Sequence, residues 1–504
     1  MRRCWAPFAA ALLAPAALGL TGCGGDDEPD PGPALLAPAD APVYFDAVVD
    51  PDGEQREALQ SSLGGLLGEP AIDALIAEQL EDALEGEDIS WSEDVEPWAG
   101  SRVGLFVAGL DDDADGALIV EIEDEDAYEE AEARVAARIG PATDATDDGV
   151  GYSVWADESA SVALDGHLVA GDEGAVRAAI EASDGEPLGE SDEFEQAVGD
   201  LSADRLATVY VEPAAILDAL EAEGEIDATD RDRVTEGFGA TAETPIALAL
   251  GATSASLVAE ITAATEDGSA GTASELIERA PDDAWLAFGI GGGSGLDALV
   301  VAGDADPVDS GVSGDVTEML TALTDVGGFV AGTSLFGLSA ALVGSEREPG
   351  SLIEPLADLE QRLGDDSGFQ VRELDADDAE GFALIPADVP IQLPVALRDE
   401  LLVAALGTDA LSQALDPQTT IADSEAFDAA VAEDLDDDLD PFAYLDFDRM
   451  LELLGSFGFA GDPDVEAAQP YLERLDRFVA GTREDSGRSL SRLVLTVREG
   501  DGSE

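Results

Sequence analysis

The chain has 504 residues, 113 acids, 22 bases and one histidine, for a formal charge of −91, and 45% of it is hydrophobic. That is apolar material for roughly two to four domain cores. Every base is an arginine, which excludes a pyridoxal Schiff base, a Walker A phosphate loop and a Ser–Lys dyad, and the charge speaks against a nucleic-acid partner, whose phosphates need a basic face.

The chain opens on Arg2 and Arg3, followed by an apolar stretch over residues 9–20 that is too short to cross a bilayer comfortably. It ends in Leu20-Thr21-Gly22-Cys23, the form of a bacterial lipobox. Small residues before the cysteine suit a signal peptidase, and the thiol would supply the sulfur of a diacylglyceryl thioether. Residues 1–22 are therefore expected to be a lipoprotein signal peptide and Cys23 the lipid attachment site. Cys4 would leave with the signal, so the mature chain would carry no free thiol and no disulfide, even in an oxidising compartment. Each buried methylene contributes about 0.8 kcal/mol, so two or three acyl chains would hold the body durably. Residues 23–37 are expected to be a flexible acidic tether, rich in Gly, Pro and Asp at its start. Anionic headgroups would repel so acidic a body, which leaves the holding to the lipid.

Beyond the tether, residues 103–110 and 117–123 alternate apolar and polar side chains, the pattern of half-buried antiparallel strands, with a hairpin turn over 111–116. Helical periodicity is expected at 126–139, 172–182, 191–201 and 213–223, the last opening on Pro213, whose missing N–H is not needed there. Residues 265–272 lack periodicity and read as a joint. Residues 327–344 carry no charge, the bare length of a membrane span. They are rich in Gly, Ser and Thr and have no basic flank, so two short strands with a tight turn are expected instead. Further helices are expected at 351–363, 424–435, 448–454 and 465–479, and a last strand at 490–497.

Several stretches recur in order, displaced by about 223 to 243 residues. Phe106-Val107-Ala108-Gly109 returns as Phe329-Val330-Ala331-Gly332, and Leu168-Val169-Ala170 as Leu402-Val403-Ala404. Ser191-Asp192-Glu193-Phe194 returns as Ser424-Glu425-Ala426-Phe427, and Asp40-Ala41 as Asp283-Ala284. Such collinear matches point to an internal duplication. The expectation is an α+β protein of two tandem, internally similar halves, 38–265 and 275–500, each a mainly antiparallel sheet with packed helices.

The lipobox, the stretch from Leu36 to Tyr44 and the Asp50-Pro51-Asp52-Gly53 turn resemble actinobacterial-type envelope lipoproteins of domain-of-unknown-function family 3352. So does the middle signature of a Leu-Val-Ala strand, a short helix, Ser-x-x-Phe, and then Asp204-Arg205-Leu206-Ala207-x-x-Tyr210. The resemblance runs from about residue 34 to the end and rests on packing and turn motifs. It implies an envelope lipoprotein and carries no activity to any residue.

Residues with chemistry are few. A Ser–His–acid triad would have to use His167, which opens a strand and has no Gly-x-Ser-x-Gly elbow to serve, so a solvent-facing histidine is expected. Asp111, Asp113, Asp115 and Gly116 match positions one, three, five and six of a calcium loop, but position twelve is Ile122. These aspartates are weak calcium candidates, and an acidic hairpin turn is the plainer reading. The acid run 433–440 could attract divalent cations without forming a defined site. Glycoside hydrolysis needs two carboxylates, which sequence cannot select from 113. The glycines from Gly289 to Gly295 miss the dinucleotide spacing and read as a loop. Trp91, Trp98, Trp155 and Trp285 are scattered, which suits core positions.

The sequence thus points to a lipid-anchored protein on the extracytoplasmic face of the cell membrane, non-enzymatic, with a binding or structural role and no cofactor beyond weak calcium. Its membrane contact would be the lipid, and nucleic acid would not be a partner. The alternative is an extracytoplasmic hydrolase working through carboxylates, with calcium assisting.

Overall fold

A computed structural model describes residues 32–498 apart from 52, 68–80, 82–88, 111–114, 156–158, 266–273, 292–318, 320–321, 335–336, 366–368, 375–378, 387–390 and 458–462. The chain divides into two compact units. Unit 1 takes the described residues up to Asp232 with Thr241–Ala264, Val497 and Arg498, and unit 2 takes Arg233–Ala240 with the described residues of Thr265–Thr496.

Unit 1 begins earlier than the tether reading allows. Gly32–Leu36 form a 3-10 turn in which Pro33, Ala34 and Leu36 are buried, and Ala37 follows them inside. The Pro-Ala-Leu-Leu-Ala run is apolar enough to fold onto the sheet, so the segment expected as tether through residue 37 gives way to packed chain at Gly32. Strands β1 (Val43–Val48), β2 (Ala99–Val107) and β3 (Gly116–Ile122) follow, with helix α1 (Gly53–Leu67) between the first two. Helix α2 (Glu125–Ile139) leads to β4 (Thr143–Asp147), β5 (Val150–Val154), β6 (Ser159–Leu164) and β7 (His167–Asp172). Then come α3 (Glu173–Asp184), α4 (Asp192–Val198), β8 (Ala207–Val211), α5 (Pro213–Glu223), α6 (Ala228–Phe238), β9 (Ile246–Ala252) and β10 (Ser256–Ala264).

The strands lie in the order β10-β9-β8-β1-β2-β3-β7-β6-β5-β4, each antiparallel to its neighbour. Both faces are covered around β1, because adjacent residues Tyr44 and Phe45 are 0% and 3% exposed. Phe45 packs with Trp91, Trp98, Val103, Leu105 and Val120 on one face. On the other, α3 packs against β3, β6 and β7 through Ala175, Val176, Ala179 and Ile180, one stripe of the helix.

Unit 2 runs β11 (Ala284–Ile290), β12 (Leu323–Ala331), β13 (Ser339–Glu346), α7 (Ile353–Asp365), β14 (Phe369–Glu373), β15 (Glu380–Pro386), β16 (Leu393–Arg398) and β17 (Leu401–Leu406). It continues with α8 (Thr408–Leu415), α9 (Glu425–Asp434), β18 (Asp440–Asp446), α10 (Phe447–Ser456), α11 (Pro463–Leu472), β19 (Leu475–Asp485) and β20 (Arg488–Val497). The charge-free stretch 327–344 falls in the antiparallel pair β12–β13. No helix among the described residues is long and apolar enough to cross a membrane. One expected helix is corrected: 465–479 is helical only to Leu472, and Leu475 starts β19. Leu472, Leu475 and Val479 keep a helical spacing, but Val479 lies opposite Tyr444 in the sheet, and that pairing prevails.

The strand order in unit 2 is β20-β19-β18-β11-β12-β13-β17-β16-β15-β14. Adding ten to each strand of unit 1 reproduces it, and registers correspond as well. Tyr44 faces Phe106 and Tyr210, as Ala287 faces Phe329 and Tyr444. Val169 faces Ile119, as Val403 faces Val343. The hairpins β6–β7 and β16–β17 both close on two residues of positive φ, Asp165 and Gly166 (46° and 80°) and Asp399 and Glu400 (51° and 70°). This turn matches the twist of its strands.

The same notch recurs under each opening segment. A Cβ on Gly104 would stand 2.5 Å from the Pro33 Cβ, and one on Gly327 would stand 2.8 Å from the Leu276 Cβ. Gly104→Val should therefore lift the Gly32–Leu36 turn off β2 and cost about 1–3 kcal/mol, the usual penalty of overpacking. Faster hydrogen exchange confined to the opening turn and β2 would verify it, and unchanged exchange would refute it.

Candidate functional site

Cys23, Asp111 and Asp113 lie outside the described residues, as does most of the glycine loop after Gly291. Asp115 is described, and its backbone carbonyl accepts the Ala108 N–H at 2.8 Å. Its carboxylate stands over the first turn of α3, where a Cβ on Gly174 would meet Oδ2 at 2.2 Å. A carboxylate is stabilised at a helix N-terminus without any metal. Among the described residues no group of three His, Cys, Asp or Glu is placed to hold a metal ion.

His167 sits opposite Leu164 and Glu121 at the start of β7, with Nδ1 3.1 Å from the Asp165 carbonyl oxygen. It has no serine partner there. The acid run 433–440 meets three arginines of the last hairpin. Arg477 donates to Asp434 at 2.7 Å and Glu433 at 2.5 Å, Arg492 to Asp436 at 2.7 Å, and Arg483 to Asp438 at 2.5 Å. These arginines compete with any cation for the same oxygens. Trp91, Trp98 and Trp285 are buried, and the last two donate Nε1–H to the carbonyls of Asp94 (2.5 Å) and Gly332 (2.9 Å).

The most distinctive polar feature was not singled out from sequence. It is a row of charges on the α3–α4 face of unit 1, built from the sheet register. Asp46 lies opposite Gly104 and Thr208, Thr208 opposite Ala249, and Ala249 opposite Glu260. Facing residues point to the same side, so Asp46, Thr208 and Glu260 share it. Asp46 and Glu260 are 4% and 5% exposed. Arg102 donates Nη2–H to Asp46 Oδ1 at 2.9 Å. Arg205, just before β8, donates Nε–H to Thr208 Oγ1 at 2.8 Å and Nη1–H to the Ser202 carbonyl at 3.1 Å. Glu260 accepts the Ser202 N–H at 2.7 Å and its hydroxyl at 2.9 Å.

Burial lowers the Arg205 guanidinium below its ordinary pKa, against the pull of Asp46 and with the push of Arg102. Burial, and next the charge of Asp46, hold the Tyr44 phenol well above its ordinary range, while Arg102 and Arg205 oppose them. Beside Arg205 is a cavity of about 10 Å³ lined by Ser202, Asp204, Gly251, Val258 and Glu260. That is room for one water and no substrate. The row holds charge in place; its one hydroxyl on a carboxylate, Ser202 on Glu260, is tied down by its own backbone N–H on the second Glu260 oxygen. The sequence signal was an acid inside each of two apolar strands, Val-Tyr-Phe-Asp-Ala-Val and Ser-Leu-Val-Ala-Glu-Ile.

A further buried carboxylate, Asp94, has a side chain 3% exposed and faces Arg138 Nη2, with Arg134 Nε at 3.9 Å and the Ser90 N–H donating at 3.1 Å. Burial alone would raise its pKa; the Arg138 hydrogen bond, the Ser90 N–H and the two positive charges outweigh burial and lower it. A carboxyl depressed in the folded state contributes stability above its unfolded value and loses it as pH falls through the folded one. Asp94→Asn should therefore flatten the acid limb of the stability curve below about pH 4, the unfolded aspartate value. An unchanged acid limb in a chemical-denaturation series would contradict this.

Comparison with known proteins then bears on the whole chain. Residues 8–298 match the model of a family described as a protein of unknown function, DUF3352. The chain belongs to that family. The matched span of this DUF3352 member takes in the charged row and ends short of most of unit 2, whereas the sequence resemblance was expected to run to the C-terminus. No curated protein matches the chain. Two solved structures, titled "Structure of crystal form III of TP0453" and "Structure of crystal form I of TP0453", are 10% and 11% identical. They cover 46% of this chain and 93% and 94% of their own, with TM-scores of 0.24 and 0.23. Likeness at that level supports no functional argument for the DUF3352 member.

Proposed function

We propose that the protein is a lipid-anchored envelope lipoprotein of actinobacterial type on the extracytoplasmic face of the membrane, with a non-enzymatic binding or structural role. The observation that carries this is the run Leu20-Thr21-Gly22-Cys23 after a short apolar stretch and two arginines. The described residues are packed from Gly32 onward, and the nine residues 23–31 could span at most about 30 Å between the lipid and that turn. Two buried carboxylates, Asp46 and Asp94, and the part-buried Asp434 each sit on an arginine. That favours a structural role for them over the paired acid and base of a carboxylate hydrolase.

We also propose that units 1 and 2 descend from one duplicated half. The shared strand order, the corresponding registers and the repeated Gly104 and Gly327 notches support it.

Cys23→Ser in the native host tests the anchor. The variant should move from the membrane fraction to the soluble extracytoplasmic fraction, and firm retention on the membrane would defeat the proposal. A cleared extract that hydrolyses polysaccharide or ester substrates only when it contains the protein would overturn the non-enzymatic reading.

A further inference from the structure

We propose that Arg279 and Arg398 of unit 2 form a surface site for a phosphate group. Both guanidiniums converge on the end of α8. Arg279, in the opening segment of unit 2, donates Nη1–H to the Ala414 carbonyl at 3.0 Å, and Arg398, the last residue of β16, donates Nη2–H to the Leu415 carbonyl. Among the described residues neither makes an ion pair with a carboxylate. Nε and Nη2 of Arg279, and Nε and Nη1 of Arg398, have no hydrogen bond there and are open to solvent. Arginines elsewhere in the chain sit on acids, as Arg102, Arg138, Arg231, Arg477, Arg483 and Arg492 do.

A helix C-terminus carries roughly half a negative charge, so one guanidinium already more than neutralises it. The second leaves an excess of positive charge at one spot of a chain whose net charge is −91. Burial, and next the charge of Arg398, hold the Arg279 guanidinium below its ordinary pKa, against the pull of Glu275. An anion held by both guanidiniums relieves their repulsion.

Unit 1 shows that the fold does not require these charges. The opening segments align through Leu276 over Gly327 and Pro33 over Gly104, and through the bonds from Ala284 N–H to the Pro281 carbonyl and from Ala41 N–H to the Pro38 carbonyl. Leu36 therefore stands where Arg279 does. Leu164 stands where Arg398 does, since each comes just before the positive-φ pair of its hairpin. Leu36 and Leu164 are 2% and 9% exposed, and the segments that carry them both pack on α3, the counterpart of α8. The same place thus holds two leucines in one unit and two arginines in the other.

The charge selects phosphate over carboxylate. Two guanidiniums match a dianion and offer several N–H donors to its oxygens. Carboxylates are already at hand, with Glu275 four residues before Arg279 and Asp399 next to Arg398, yet neither forms an ion pair with them.

The test is a calorimetric titration of the full chain with inorganic phosphate at about 0.15 M salt, which screens the surface acids. The wild type should bind one phosphate saturably. Arg279→Leu and Arg398→Leu, which copy unit 1, should each weaken binding about tenfold, the weight of one charge-assisted hydrogen bond, and together abolish it. Arg279→Gln with Arg398→Gln keeps polar side chains and should lose binding while retaining the wild-type circular dichroism. Arg231→Gln, in unit 1, should bind as the wild type does. No saturable binding by the wild type, undiminished binding by a folded double variant, an equal loss in Arg231→Gln, or acetate that displaces phosphate at equal concentration would each overturn the proposal. The result is independent of whether Cys23 is lipidated.

Discussion

Arg102→Met is expected to destabilise unit 1 by about 3–5 kcal/mol, because it leaves the Asp46 carboxylate buried without its counter-charge. Asp46 retains 5% side-chain exposure and Arg102 22%, so solvent cannot replace the lost partner. The double variant Asp46→Leu/Arg102→Met should recover most of that loss, since removing both members of a buried pair is often neutral. Unit 2 shows that the strand pattern does not require the pair: Gly289 stands where Asp46 does, and Asp325 lies four residues before Phe329, as Arg102 does before Phe106. Two units make a single global transition unsafe to interpret. Hydrogen exchange resolved to β1, β2 and β8 is therefore the measurement. A single variant as stable as the wild type, or a double variant no better than the single one, would contradict a tightly coupled pair.

Phe194→Ala should cost about 3–5 kcal/mol, the range for deleting a buried aromatic ring. Phe194 is 4% exposed and touches two rings, Tyr44 at 5.8 Å and 82° and Tyr210 at 5.3 Å and 56°. Its backbone N–H is held by the Ser191 hydroxyl at 3.2 Å, so the helix start and the ring are fixed together. The counterpart Phe427 touches Tyr444 at 5.4 Å and 89°, and Ala287 occupies the place of Tyr44. Phe427→Ala should therefore cost about 1 kcal/mol less, one aromatic pair fewer. Exchange rates in β8 and β18 compare the two directly; equal losses would show that Tyr44 adds nothing to the Phe194 contact.

The elements most legible in sequence were those with local signals. Helix α5 was expected at 213–223 and occupies Pro213–Glu223, because proline marks its start and Gly224, in the left-handed region at φ 76°, its end. Hairpin β2–β3 followed from alternation. The stretch from Leu475 to Val479 was misread because its apolar spacing suits a helix and only the partner strand β18 decides otherwise. The fold of Gly32–Leu36 was missed because prolines and glycines signalled a tether, while the apolar residues between them close over the Gly104 notch. The strand order lay beyond reach, since it depends on pairings as distant as Tyr44 with Tyr210. The charged row was hidden for the same reason. Nothing local marks Asp46 and Glu260 among 113 acids; the arginine and the Ser202 groups that hold them come from distant positions.

That distribution changes the meaning of the −91 charge. Among the described residues most acids are at least partly exposed, and they form a surface screened within about 10 Å at 0.1 M salt. The buried carboxylates of unit 1 are each held by a partner, Asp46 by Arg102, Asp94 by Arg138 and Glu260 by Ser202.

The anchor remains the centre of the functional proposal, and mass spectrometry of the mature N-terminus from native membranes tests it most directly. The account predicts a first residue Cys23 carrying a thioether-linked diacylglyceryl group. A mature protein that starts elsewhere, or that carries Cys23 as a free thiol, would contradict it.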